Sequence, residues 1–286
     1  MKKLMKIAML PGLLLCLSAA LVAQQPPGNA TKPAQPSGKH VPQAKTKAEF
    51  NDYNSAYAVA GGTASEKAAD EFSAKYPDSE LKPFLYSKTM HEYQTENNKV
   101  KIVAMGEKVL QYDPDNPVAL VLTATVIADT LSESDVDREK KVATIKKNSD
   151  HALQTISSDF APGANISPEQ LAAYKKTLQS MAHAALGMAA LKSDDDAGAE
   201  KELKTAADLN SGQPDPYIWY HLALAQDHQK KYPEALVSVN QAVQYAGSDP
   251  DLATLAQGEL ARLRTLNQVG NQAGPDAAKP QQTPQK

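Results

Sequence analysis

The stretch YIWYHLALAQDHQKKYPEALVSVNQAV, residues 217–243, contains two apolar patterns of similar length on either side of a Tyr-Pro-Glu-Ala segment. Trp219 and Leu222 are three residues apart, which places both on one face of a helix. Ala235 and Ala242 are seven residues apart and share a face of the next helix. Proline is tolerated in the first turn of a helix, so the segment between the patterns can start the second one. The stretch therefore predicts two antiparallel helices joined by a short loop.

The same pattern occurs a second time in residues 183–211. Five pairs align at one constant offset: His183 with Trp219, Leu186 with Leu222, Gly187 with Ala223, Ala199 with Ala235, and Ala206 with Ala242. A weaker third copy runs from Tyr86 through Tyr93 to Pro114. One helical hairpin cannot cover its own apolar face, so repeated hairpins must stack on one another. An irregular helical bundle with coincidental spacing is the alternative.

These residues resemble the tetratricopeptide repeat (TPR), which has Trp, Leu-Gly and Tyr on a first helix and Ala, Phe and Ala on a second, then Pro. Matching residues are Trp219, Leu222, Ala235, Leu186, Gly187, Ala199, Tyr93 and Pro114, whereas Ala223, Gln226, Val239 and Gly247 depart from the pattern. The resemblance covers 46–267, most clearly 80–120 and 180–250. It implies an all-α fold, an α-α superhelix formed as a TPR-like solenoid of about five helical hairpins and a C-terminal capping helix.

The pattern also predicts where helices touch and where they begin. Small residues at Gly187, Ala199, Ala223 and Ala235 are expected at close contacts between helix backbones, with larger side chains filling the gaps beside them. Three segments have the spacing of a helix-starting capping box: Thr46 to Glu49, Thr63 to Glu66, and Ser167 to Gln170 with proline at the first helical position. About eleven helices are expected.

The repeat period breaks between residues 121 and 180. Residues 136–158 are predicted to form a lengthened second helix of the third hairpin. A boundary between two subdomains within 121–180 is the alternative.

The first residues have the features of a secretory signal peptide, predicted over 1–23. A lysine-rich start precedes a short apolar core and small residues, with cleavage after Ala20 or Ala23. Cys16, the only cysteine, lacks the small preceding residue typical of a lipid-modified cysteine, which argues against a lipid anchor. We therefore expect export to the periplasm or cell envelope, or secretion, and no integral membrane span after cleavage. Residues 24–45 and 268–286, rich in Pro and Gln, are predicted to be a disordered linker and tail.

Candidate chemistry is sparse. His91-Glu92 lacks the second histidine of a zinc-protease motif, and Ser193–Gly198 lacks the spacing of a calcium loop. His221 and His228 could share a helix face, but two histidines alone make a poor metal site, and a surface position is the expectation. We find no nucleophile elbow and no phosphate-binding loop. The formal net charge of −3 gives no general attraction to nucleic acid. The sequence thus predicts no enzyme activity, no cofactor and no metal site.

The resemblance implies a protein-binding scaffold whose concave groove is lined by the first helix of each hairpin. Carrying over the family's groove positions gives Phe84, Ser87, His91, Val118, Val121, Thr125, Tyr217, Tyr220, Leu224 and Asp227. The two tyrosines are the preferred anchors, and the alternative is that they pack under the C-terminal helix. The partner is expected to be a peptide or protein whose identity the sequence does not give, as it does not give the oligomeric state. Alternatives are an envelope assembly component anchored at the outer membrane and an accessory chain or enzyme.

Overall fold

The computed structural model describes residues 42–158, 167–247 and 249–272, and within them it contains eleven α-helices and no strand. In chain order the helices are α1 (Lys47–Tyr57), α2 (Gly62–Lys75), α3 (Lys82–Thr95), α4 (Lys99–Tyr112), α5 (Pro117–Thr130), α6 (Arg138–Ser158), α7 (Pro168–Leu191), α8 (Asp196–Leu209), α9 (Pro216–His228), α10 (Tyr232–Tyr245) and α11 (Pro250–Gln272). The predicted all-α fold of helical hairpins is confirmed. The predicted signal peptide and most of the predicted linker and tail lie outside the described residues.

The helices divide into two compact units, and the division falls inside α7, between Leu186 and Gly187. In the N-terminal unit each helix from α1 to α5 packs against the next, and α6 packs against α5. Residue numbers rise along α2 as they fall along α3: the hydroxyl of Tyr93 donates to Glu66, and that of Tyr86 donates to Asp70. Neighbouring helices are therefore antiparallel, as short connecting loops require.

The main core of the N-terminal unit lies between α1, α2, α3, α4 and α5. Its members are buried side chains from all five helices: Tyr53, Ala69, Phe72, Leu81, Leu85, Tyr86, Met90, Tyr93, Ile102, Met105, Val109, Ala119 and Val126. Tyr86, Tyr93, Ile102 and Val109, which lie within the predicted third repeat copy, are all buried, whereas its last residue, Pro114, is exposed. The apolar spacing read from the sequence therefore identified the packed faces of α3 and α4.

The start of α2 corrects one of the three predicted capping boxes. Helix α2 begins at Gly62, before Thr63, and no side chain next to it in sequence caps it. The free amides of Gly61 and Gly62 instead donate to the carboxylates of Glu92 and Glu96 on α3, at 3.2 Å and 2.6 Å. A Cβ at position 62 would lie 2.3 Å from the Tyr93 ring, so only glycine allows this close approach.

The other two predicted helix starts are confirmed. Thr46 accepts the amide of Glu49 at 3.1 Å, and the carboxylate of Glu49 in return accepts the amide of Lys45 at 2.7 Å. The amide of Gln170 donates to the Ser167 hydroxyl, and Gln170 accepts the amide of Ser167. Each pair satisfies two of the donors that a helix start leaves unpaired.

Glu66 belongs to a polar network on α2, α3 and α4 rather than to a cap. Its carboxylate accepts from the Tyr93 hydroxyl at 2.5 Å and from Lys101 at 2.8 Å. Partial burial would raise the pKa of Glu66, but the hydrogen bonds from Lys101 and Tyr93 outweigh it and lower the pKa. A carboxylate with a lowered folded-state pKa stabilises the fold above its unfolded pKa. That contribution is lost as the pH falls through the folded value.

We therefore expect Glu66→Gln to lower the free energy of unfolding of the N-terminal unit by about 1–2 kcal/mol near neutral pH. At about pH 3 the difference from the parent should shrink, because the parent carboxylate is then becoming protonated. Urea unfolding at the two pH values measures both effects. Glu71→Gln is the control, since Glu71 lies on the same helix in an exposed pair with Lys67 at 3.8 Å. An equal loss at both pH values would show that Glu66 does not act through its charge.

The lengthened helix predicted over 136–158 is present as α6, which begins at Arg138. Its side chains Ala152 and Ile156 pack with Leu120 and Val121 of α5 and with Tyr174, Leu178 and Ala182 of α7. This second core extends the N-terminal unit beyond the third hairpin. Burial raises the pKa of Tyr174 to about 12, in line with its place in this apolar cluster.

The C-terminal unit contains the end of α7 and helices α8 to α11. A Cβ at Gly187 would lie 2.5 Å from Cγ of Leu203, so α7 and α8 approach each other closely here. Ala199, Ala223 and Ala235 are fully buried, as predicted for close helix contacts. A cluster of Ala223, Ala235, Val239, Ala242, Ala256, Leu260 and Leu263 joins α9, α10 and α11, with Trp219 packed partly against it.

Gln226 stands where the TPR pattern has tyrosine, and a polar network explains the departure. Its side-chain oxygen accepts from the buried Ser238 hydroxyl of α10 at 2.7 Å. Its side-chain nitrogen donates to Glu200 of α8 at 3.3 Å, and Lys231 also donates to Glu200 at 2.6 Å. A buried amide is stabilised when both its oxygen and its nitrogen find partners, as here.

Candidate functional site

The predicted groove residues of the N-terminal unit lie on one face of α3 and one face of α5. Phe84 is half-buried against the main core, Ser87 is half-buried, and His91 is exposed. These three side chains recur at three and four residues along α3 and therefore share a face. Beside them Lys88 forms an ion pair with Glu92 at 3.1 Å, so its charge is balanced.

On α5, Val118 and Thr125 are half-buried, and Val118 packs partly against the same core as Phe84. Phe84 and Val118, the first predicted groove residues of α3 and of α5, therefore both pack against the main core. Val121 differs from the prediction. It is 0% exposed and packs with α6 and α7 in the second core, so it belongs to no accessible surface. The reason is that side chains of α6 and α7 pack directly against Val121.

Phe84, Ser87, His91, Val118 and Thr125 are not fully buried and are here called the α3/α5 face; Val118 also packs partly against the second core, and the hydroxyl oxygen of Thr125 is buried. None of these side chains is a carboxylate or a lysine. Asp129, one turn beyond Thr125, is nearly buried and its charge is balanced by Lys99. The α3/α5 face is therefore largely uncharged, with one half-buried aromatic ring and one exposed imidazole.

In the C-terminal unit the predicted groove residues contact the last helix and the residue that precedes it. The Tyr217 hydroxyl donates to Asp249 at 2.6 Å. Tyr220 packs against the cluster that contains Leu260 and Leu263, and burial raises the pKa of Tyr220. Asp227 forms an ion pair with Arg262 of α11.

Leu224, the remaining predicted residue of α9, is half-buried. Tyr220 therefore packs against the cluster that includes α11, as in the alternative that the sequence left open, whereas Tyr217 is hydrogen-bonded to Asp249 just before α11. Their role as partner anchors is left as a prediction.

The histidines and acidic residues that were considered as metal or catalytic candidates make ordinary structural contacts. His228 lies 2.8 Å from Asp196, whereas His221 lies 2.8 Å from the carbonyl of Tyr217, so the two histidines face different partners. Asp195 caps α8 by accepting the amide of Gly198 at 3.0 Å. Within the described ranges no group of three His, Cys, Asp or Glu side chains could hold a metal ion.

No helix among the described residues is both long and apolar enough to cross a bilayer.

Two structural features of this region had no clear signal in the sequence. Glu92 and Glu96 cap a helix more than thirty residues away, a contact that local spacing does not reveal. The start of the described chain also contacts the loop before α3: the amide of Gln43 donates to Glu80 at 3.3 Å, and Ala44 packs against the main core.

Stacked antiparallel hairpins that meet through glycine and alanine define an all-helical repeat protein of the TPR-like kind. The chain is similar to several solved structures, including the following two. TTC0263, described as a thermophilic TPR protein in Thermus thermophilus, is 15% identical over 74% of this chain and 99% of its own, with a TM-score of 0.46. MamA protein is also 15% identical, over 71% of this chain and 98% of its own, with a TM-score of 0.36.

No family model matches the chain, and no curated protein matches it. At these identities and TM-scores the two similarities do not assign a partner, an activity or a family to this chain.

Proposed function

We propose that this protein is a non-catalytic binding scaffold of the bacterial cell envelope, which holds a peptide or protein partner on the α3/α5 face. The observation that carries the proposal is the contrast between two sides of the same helices. Most of α3 and α5 is packed into the core, while on α3 Ser87 and His91 stay at least partly accessible and Phe84 packs only partly against the core. Rigid helices present such side chains at fixed spacings, which suits recognition of an extended or helical segment.

The proposed partner surface is uncharged, which favours a partner that binds through apolar contacts and hydrogen bonds. Phe84 supplies an aromatic contact, and Ser87 and His91 supply hydroxyl and imidazole groups at the positions that follow. Carboxylate recognition normally uses arginine, lysine or a helix start as the counter-charge. The α3/α5 face has none of these, so recognition of a terminal carboxylate is not part of the proposal.

Export is a separate part of the proposal and rests on the lysine-rich, apolar and small-residue segments at the start of the chain. Mass spectrometry of the purified protein would give its N-terminus and any lipid on Cys16. Release by osmotic shock is expected for a protein in the periplasm. Retention until detergent is added would favour the alternative, an assembly component anchored at the outer membrane.

The partner-binding proposal is tested by photo-cross-linking in the intact envelope. A cross-linking amino acid placed at Ser87 is expected to give adducts with one specific partner. The matched control places it at Lys67, which is exposed on α2 and away from the α3/α5 face. Ser87→Arg should then weaken capture of the same partner by at least about tenfold, equivalent to about 1.4 kcal/mol.

Far-ultraviolet circular dichroism should show unchanged helicity for Ser87→Arg, because the side chain is not fully buried. Identical adducts from the two cross-linking positions, or undiminished capture by Ser87→Arg, would contradict the proposed surface.

A further inference from the structure

We propose that the proline-rich segment of this chain, residues 24–41, folds back onto the α3/α5 face and competes there with the partner. This inference rests on the surface described under Proposed function. It names an occupant that is always present, because it is part of the same chain. The four observations that support it concern where the segment joins the described structure, its reach, its conformational preference and its charge.

The segment joins the N-terminal unit beside the start of α3. Gln43 donates its amide to Glu80, so the chain contacts the α2–α3 loop there, and Ala44 packs partly against the main core. Phe84 follows Glu80 by only four residues. The described chain therefore begins beside the loop that leads into Phe84.

The length of the segment is sufficient to cover the face. Eighteen residues in an extended polyproline conformation span about 55 Å at 3.1 Å per residue. From Leu81 to His91 along α3 the distance is about 15 Å at 1.5 Å per residue. A tether of this length gives an effective concentration on the order of millimolar, so even weak intrinsic binding leads to substantial occupancy.

The chemistry of the segment complements the surface and its edge. It contains Pro26, Pro27, Pro33 and Pro36, which lower the entropy lost when an extended chain binds beside an aromatic ring. It contains Lys32 and Lys39 and no acidic residue. Asp78 and Glu80 are exposed in the loop that Gln43 contacts, so the segment and this loop contain opposite charges.

Thiol accessibility tests the inference without any partner. In a Cys16→Ser background the chain has no other cysteine, so Ser87→Cys places one thiol on the α3/α5 face. We expect the native segment to slow alkylation of this thiol by at least about threefold relative to a segment carrying Lys32→Glu and Lys39→Glu. Replacing the four prolines with serine should relieve the protection in the same direction.

Lys67→Cys is the matched control, and its alkylation rate should be the same with every segment. Equal rates at Ser87→Cys with the native and the charge-reversed segments would overturn the inference. Protection that rises with protein concentration over about a tenfold range would also overturn it, by identifying a second copy as the occupant. Failure here leaves the cross-linking result of the proposed function unaffected, so the two can fail separately.

Discussion

Leu203→Ala is expected to lower the free energy of unfolding of the C-terminal unit by about 2–5 kcal/mol. Leu203 is 0% exposed, and its side chain fills the space left by the missing side chain of Gly187 on the facing helix. Truncation removes apolar contacts and leaves a cavity that the two helices can close only in part. Chemical denaturation followed by circular dichroism measures the loss.

A second substitution, which adds a side chain at the same contact, tests whether Gly187 and Leu203 touch. Gly187→Ala alone should cost about 1–3 kcal/mol, because its Cβ would lie 2.5 Å from Cγ of Leu203. In the Leu203→Ala chain the cost of Gly187→Ala should fall by about 1–2 kcal/mol, since the conflicting side chain is gone. The control is Gly258→Ala on α11, where a Cβ would meet nothing within 4 Å. Strictly additive effects of the two substitutions would refute a direct contact between α7 and α8 at these residues.

Leu263→Ala is the second substitution with a large expected effect, again a loss of about 2–5 kcal/mol. Leu263 is 0% exposed and packs in the cluster that joins α11 to α9 and α10. Without this anchor the last helix should separate from the hairpin more often, exposing Trp219. The red shift of the fluorescence of this single tryptophan during unfolding reports on the event directly.

Leu255→Ala is the matched control, because Leu255 lies on the same helix but is 52% exposed. Its effect should stay within about 0.5 kcal/mol. Comparable losses from the two leucines would mean that α11 does not pack through the face that contains Leu263. Preserved stability in both chains would mean that α11 is not required to cover the last hairpin.

The helices, their antiparallel pairing and their close contacts could be predicted from the sequence because each depends on local spacing. Gly187, Ala199, Ala223 and Ala235 were identified by a repeated offset, and each is buried at a helix contact. Apolar periodicity reports the packed face of a helix directly, since the same residues must meet the neighbouring hairpin. The polar network around Gln226 was beyond this reasoning, because its partners lie on two other helices.

The errors in the candidate site came from contacts between distant segments. Val121 has the spacing of a groove residue, but the extra turns of α6 and α7 cover it. Thr63 has the spacing of a helix start, but the carboxylates of Glu92 and Glu96 accept hydrogen bonds from the amides at the start of α2 instead. Spacing within one helix cannot reveal which side of that helix a longer neighbour will cover.

The loops inside three hairpins show how one backbone conformation can be kept by different residues. Asn97, Asp194 and Lys230 all have a positive φ, of 53°, 59° and 61°. In each loop the amide of the next residue donates to the carbonyl of the residue five positions before it. The amide of Lys231, for example, donates to the carbonyl of Gln226 at 2.9 Å. Glycine is the usual residue at such a position, and its absence here hid the repeated turn from the sequence.

Helix α11 has a further consequence for assembly. It takes the place that the first helix of another hairpin would have, yet its outward side chains include Thr254, Gln257 and Thr265, which are polar and exposed. Among the described residues of α11, Leu255 is the one large apolar side chain that is exposed, and a single leucine is too little to seat another pair of helices. The described part of α11 therefore ends the C-terminal unit with a mostly polar surface, on which Leu255 supplies the one large apolar contact.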